Sequence, residues 1–164
     1  MTLFGAAWTL GAIKRLTESE AASVTCFETT GWCGVMETEA GSPLPQQFPS
    51  LPGAAFPLYH VLADVAEFAG GDLIEVQSSD TFRVTAMLLQ QDNRQTLLLA
   101  NLTSEPQIAT MTGLAQAVQL RRLYAQNAET AMREPEIFRG QFEWNKLSAD
   151  RIELSPCEIV RIDW

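Results

Sequence analysis

The stretch Phe56-Pro57-Leu58-Tyr59-His60-Val61-Leu62-Ala63-Asp64-Val65-Ala66-Glu67-Phe68-Ala69-Gly70-Gly71 runs directly into Asp72-Leu73-Ile74-Glu75-Val76-Gln77, and the apolar period changes at the glycine pair. Before it, Leu58, Val61, Leu62, Val65 and Phe68 recur at the spacing of an amphipathic helix over 56–69. Pro57 suits the first turn, where a missing N–H costs nothing, and Gly70-Gly71 stops the helix. After it, side chains alternate with the period of a strand. Leu73–Gln77 and Thr81–Leu89 predict strands, Gln91-Asp92-Asn93-Arg94 a hairpin turn, and Thr96–Asn101 the returning strand.

Toward the C-terminus the same signals repeat. Pro106–Met111, Ala117–Tyr124, Phe142–Trp144, Arg151–Leu154 and Cys157–Ile162 predict further strands, the last of them central. Residues 125–140 form a polar connection carrying Pro135. Short strands and turns with no helices between them predict an antiparallel β-sandwich over 71–164. Toward the N-terminus, Leu3, Ala6, Leu10, Ile13 and Thr17, broadened by Phe4 and Trp8, predict a helix over 2–19 that Thr2 can cap. Ala22–Glu28 reads as a short buried strand, with Cys26 as a small hydrophobe. Gly41, Pro43, Pro45, Pro49, Pro52 and Gly53 make 38–55 a long irregular loop, of a length that is often functional. The chain is thus α+β, with a helix–strand–helix segment at 1–70 and a sandwich at 71–164.

Composition narrows the function. Of 164 residues, 46% are hydrophobic and 19% charged, enough apolar material for a packed core. The net charge is −9, and both parts are acidic: two basic and seven acidic side chains in 1–70, nine and thirteen in 71–164. A basic face for nucleic acid is absent from this pattern. No apolar stretch is long enough to span a membrane, and the N-terminus lacks the basic start of a secretion signal. Three cysteines, Cys26, Cys33 and Cys157, at irregular spacing predict reduced thiols in the cytoplasm. With His60 the single histidine, the pattern calls for no metal and no cofactor.

The segment Val24-Thr25-Cys26-Phe27-Glu28-Thr29-Thr30-Gly31-Trp32-Cys33-Gly34-Val35-Met36-Glu37 carries the most chemistry. A carboxylate at the end of an apolar strand needs water or a partner. Beside an indole it can hold a sugar or sugar acid: Trp32 stacks on C–H groups while Glu28 accepts from hydroxyls. Equally, Glu28 marks only the exit of the strand into solvent, and Trp32 plugs the core. His60 and Asp64, four residues apart on one helix, predict a hydrogen bond in a structural role. Glu37 and Glu39 are weak cation candidates without spaced partners. Arg121 and Arg122, adjacent on a strand, point to opposite faces. Trp144 and Trp164 read as core or rim; a carbohydrate platform requires both exposed on one face.

Phe4-Gly5-Ala6-Ala7-Trp8-Thr9-Leu10-Gly11, the Val24–Glu37 segment and Phe56-Pro57-Leu58-Tyr59-His60-Val61-Leu62 resemble the end of the barrel in D-apionate lactonase-like proteins, which look like clan A glycoside hydrolases. Leu97-Leu98-Leu99-Ala100-Asn101-Leu102-Thr103 and Leu154-Ser155-Pro156-Cys157-Glu158-Ile159-Val160-Arg161 resemble strands of the β-sandwich that follows that barrel. The resemblance implies that 2–19 is the seventh barrel helix and 22–28 the eighth strand of a (β/α)8 barrel. It places the paired catalytic carboxylates on strands four and seven, which this chain lacks. Glu28 and Trp32 are then substrate contacts rather than the acid–base pair, and Cys33 replaces a basic residue that would contact an anion. The expectation is a C-terminal fragment or accessory module of a lactonase- or glycosidase-like protein, inactive alone. The alternatives are a small carbohydrate-binding sandwich and a structural subunit. The apolar first helix and strand, with no further barrel elements to cover them, predict a homodimer through residues 1–36.

Overall fold

The computed structural model describes residues 2–19, 21–113, 118–145 and 151–164. Helix α1 (Leu3–Glu18) begins where predicted, with the Thr2 hydroxyl accepting from the Gly5 N–H at 3.1 Å. Two short strands, β1 (Glu28–Thr30) and β2 (Gly34–Met36), pair in parallel. A long loop leads to α2 (Pro57–Ala66), with Pro57 in its first turn. At the change of period, Gly70 takes a φ of +82°. A Cβ on Gly71 would stand 2.3 Å from the Gln90 carbonyl oxygen, so the tight passage from helix to sheet requires both glycines.

Strands β3 (Asp72–Ile74), β4 (Val84–Gln91), β5 (Arg94–Asn101), β7 (Val118–Leu123), β8 (Glu143–Asn145) and β10 (Ile159–Asp163) form one antiparallel sheet in the order β3-β4-β5-β10-β7-β8. The β4–β5 hairpin turns at Asp92-Asn93, with Asp92 at a φ of +55°. The last strand is central, between β5 and β7, as predicted. A second sheet of β6 (Gln107–Thr110) and β9 (Arg151–Leu154) packs on one face of the first. Leu97, Leu99, Val118, Leu120, Val160 and Ile162 meet Ile152 and Leu154 there. The opposite face carries Met87, Leu89, Leu98 and Ala100 and is covered by Ala6, Ala7 and Leu10 of α1 and Leu58 and Val61 of α2. The architecture is therefore mixed α and β, with helices on one side of a six-stranded sheet and a two-stranded sheet on the other.

Several details differ from the sequence expectation. Regular strand at 22–28 is confined to its last residue: 21–26 are exposed, Cys26 among them, and pairing starts at Glu28. Among the described residues β1 has a single neighbour, β2, so nothing pairs with the segment before it, although Phe27 packs against the helix-side core. Phe4 and Trp8 do not broaden the buried stripe of α1 but face outward. Residues 81–83 form a turn rather than the start of a strand. The 125–140 connection holds two short helices, α3 (Ala128–Arg133) and α4 (Pro135–Arg139), which bury Ala131 and Phe138 against the helix-side core. Cys157 has a φ of +55° and sits in a turn, so the last strand starts at Ile159. Ala117, the expected first residue of β7, lies outside the described residues.

Candidate functional site

Three residues, Gly31-Trp32-Cys33, connect β1 to β2. Gly31 takes a φ of +98°; its N–H donates to the Met36 carbonyl at 2.8 Å, and the Gly34 N–H donates to the Gly31 carbonyl at 2.7 Å. A Cβ at Gly34 would meet the Thr30 backbone at 2.8 Å, which makes the second glycine as necessary as the first. The turn is anchored from behind. The Phe56 N–H donates to the Val35 carbonyl at 2.9 Å, and Glu37 N–H to Ala54 at 2.9 Å, tying β2 to the start of α2.

This frame presents both candidate ligand residues to solvent. Glu28 is exposed on β1, and Trp32 is 43% exposed at the tip of the turn. Trp32 does not plug the core. Its ring meets Phe48, from the proline-rich loop, edge-to-face with centroids 4.7 Å apart. Cys33 is exposed beside it. Glu37 is buried, with Oε1 accepting from the Thr38 N–H at 2.8 Å, and the nearby Ser50 hydroxyl and the Thr38 N–H hold its carboxyl below the usual carboxylate range against the cost of burial. The Glu39 carboxylate is exposed and rests against Gly53 instead of joining Glu37. Among the described residues, no three His, Cys, Asp or Glu side chains converge as a metal cage would require.

At the other end of α2 lies a polar cluster. Asp64, buried on α2, accepts from Arg121 of β7, from Arg139 of α4 at 2.9 Å and from Arg161 of β10 at 3.0 Å. One turn further, Glu67 binds Arg139 and takes Arg161 at 2.7 Å. Asp163 receives the Arg161 Nε–H at 2.9 Å. Burial works against the Arg161 charge, but Asp163, Asp64 and Glu67 hold its proton more firmly than usual. Three guanidiniums and three carboxylates thus join α2 to the sheet. On the other face, Arg122 pairs with buried Glu158 at 2.6 Å. The two neighbouring arginines do point to opposite faces, and each ends on a buried carboxylate.

Because Asp64 serves this cluster, it does not bond His60. The imidazole Nε2 pairs with the Ala131 carbonyl at 3.1 Å, and Nδ1 is buried without a partner among the described residues. Burial, reinforced by Arg121, pushes its pKa down to about 4, so the ring is neutral and structural. The cluster did leave a trace in the sequence: Asp64 interrupts the apolar stripe of α2. Trp144 is 76% exposed on the helix-side face of the sheet, whereas Trp164 is half-buried against the sandwich-side core. The two tryptophans thus lie on different faces, although both border one open cavity at the strand ends.

Residues 1–70 match the family model of the D-apionate lactonase TIM barrel domain, and residues 82–162 that of its C-terminal immunoglobulin-like domain. No curated protein matches the sequence. Among solved structures, a conserved exported protein from Bacteroides fragilis superposes with a TM-score of 0.66 at 12% identity, over 99% of this chain and 34% of its own length. A GH30 endoxylanase from Clostridium papyrosolvens C71 gives 0.46 at 14% identity, over 66% of this chain and 28% of its own. A β-porphyranase of glycoside hydrolase family 86 from Bacteroides plebeius gives 0.44 at 13%, over 80% and 22%. The chain spans about a third of the length of the exported protein, and at this identity that likeness concerns the fold alone.

Proposed function

The chain belongs to the D-apionate lactonase-like proteins, as the end of their TIM barrel joined to their C-terminal immunoglobulin-like domain, and from that premise we propose that it supplies a substrate-contacting wall and its support rather than a complete catalytic centre. Glu28 and Trp32 are the contacts. The observation that carries this reading is the Glu28–Met36 turn: tight in a way that its two glycines permit, anchored to α2 by backbone hydrogen bonds, and open to solvent at both the carboxylate and the indole. A carboxylate accepting from hydroxyls beside an aromatic face suits a sugar or sugar acid.

Hydrolysis of a glycosidic bond by acid–base catalysis needs two carboxyl groups across one substrate. Glu37, the next acidic residue after Glu28 along the chain, is buried and turned toward Thr38. The isolated chain is therefore inactive. A panel of aldonolactones and aryl glycosides tests this: no turnover above buffer is expected, and turnover that disappears in Glu28→Gln overturns it.

The same premise bears on assembly and location. Besides Trp32, which is assigned to substrate, Phe4, Trp8, Leu16, Val24 and Met36 are exposed within residues 1–36. So much apolar surface on one segment favours an interface, and we assign it to a symmetric homodimer. The three cysteines are free, which suits a reducing compartment such as the cytoplasm. Recovery of the chain from an exported fraction would overturn that placement.

A further inference from the structure

We infer that the open end of the helix-side sheet face is a binding groove for an acidic oligosaccharide, separate from the Glu28 turn. The groove measures about 730 Å³ and begins where α2 ends, at Glu67 and Phe68. Its floor follows a cross-strand row in which Asp163 of β10 opposes Gln119 of β7, which opposes Trp144 of β8, with Trp164 at the rim and Thr96 of β5 buried beneath Asp163. Opposed residues share a face, so the Trp144 indole, the Gln119 amide and the Asp163 carboxylate line up on one surface. Trp144 lies on the outermost strand of the sheet, exposed although its ring is large and apolar. An aromatic plane beside a planar amide suits a sugar ring: the indole takes the C–H face and the Gln119 amide takes hydroxyls, while Asp163 is already held by Arg161 and Thr96.

The charges select an acidic sugar. The groove and the cluster behind it hold Arg94, Arg121, Arg139 and Arg161 against Asp64, Glu67 and Asp163, one cation in excess, on a chain whose net charge is −9. Arg161 and Arg139 occupy Glu67, and Arg161 occupies Asp163. Arg94 is the outermost of the four cations, 61% exposed, over the Phe68 ring at 5.1 Å and only loosely joined to Glu67 at 3.7 Å. Arg94 precedes Thr96 by two residues on the same face, and Trp144 lies three strands away, about 14 Å at ordinary sheet spacing. A single ring cannot touch both. A ligand of two or three sugar rings with a carboxylate at the Arg94 end can.

Calorimetric titration of the full chain with oligogalacturonate and with neutral xylooligosaccharide of equal length tests the assignment. Oligogalacturonate is expected to bind, more weakly as salt rises. Trp144→Ala and Arg94→Gln should each weaken it about tenfold, with melting temperatures unchanged because both side chains are exposed. The part of the binding that Trp144→Ala weakens should persist in Glu28→Gln and Trp32→Ala, which separates this groove from the barrel-end site. Equal affinity for the neutral sugar overturns the acidic assignment. Absence of binding, or binding indifferent to Trp144→Ala, overturns the groove.

Discussion

Helix α2 and the segment 21–36 lie within the same barrel-end part of the chain, yet they meet opposite fates. The helix is fixed twice: by Leu58 and Val61 in the helix-side core, and by Asp64 and Glu67 in the arginine cluster. The segment has a two-stranded pairing, a glycine-built turn and an outward row of Val24, Trp32 and Met36. The difference teaches that exposure here is not looseness. The turn is held in one shape from behind while its front is left uncovered, an arrangement that suits a surface made to meet something else. A buried ion cluster is a poor source of net stability but a strict one geometrically, since removing one member strands the others. It sets where α2, and with it the turn, sits on the sheet.

The comparison breaks first if the sheet is not the foundation of both regions. Val160 is fully buried at the centre of the sandwich-side core. Val160→Asp places an unpaired charge there and should prevent folding; a variant that melts like the parent contradicts the strand register. The next largest effect belongs to the clamp. Asp64→Ala leaves Arg121 and Arg161 buried without their shared acceptor and should cost about 3–5 kcal/mol. Glu28→Gln, at an exposed position, should stay within about 0.5 kcal/mol. Denaturant unfolding of the two side by side measures the contrast, and equal effects would erase it.

A smaller effect comes from His60, beside the clamp. Its folded pKa of about 4 lies below its ordinary 6.5, so between those values the unfolded chain binds a proton that the folded chain refuses. Its contribution is complete above pH 6.5 and is lost as the pH falls toward 4. The expected loss between pH 7 and pH 5 is about 2 kcal/mol, and it should disappear in His60→Gln. A pH profile unchanged by that substitution would show that the imidazole is not buried as described.

Much of this fold was legible in the sequence because its main signals are local. The cap at Thr2, Pro57 in the first turn of α2, the Gly70-Gly71 stop and the Asp92-Asn93 hairpin each act within a few residues, and each is found in place. Residues 22–27 misled for the complementary reason. An apolar run becomes a strand only when a neighbour pairs with it, and among the described residues none does. The helices in 125–140 were hidden by polarity and by Pro135, which opens α4 instead of ending structure. At the candidate site, the sequence reads Glu28 as the last residue of a strand over 22–28, whereas it opens β1, and its exposure comes with a strand that has β2 as its single neighbour among the described residues. The arginine cluster was legible only in part. Asp64 reads in the sequence as a partner for His60; its place in the apolar stripe is the trace that this reading passes over, and its three partners come from distant elements that no spacing rule connects.

The assignment of residues 1–36 as an interface is tested most directly by sedimentation velocity of the full chain at micromolar concentration, alongside Trp8→Glu. Trp8 is 59% exposed and tilted against Phe4 at 6.2 Å, so the substitution alters the interface and not the core. The expected result is a species of twice the 18.1 kDa chain mass that Trp8→Glu converts to monomer or aggregate. A clean 18.1 kDa species for the parent chain would contradict it.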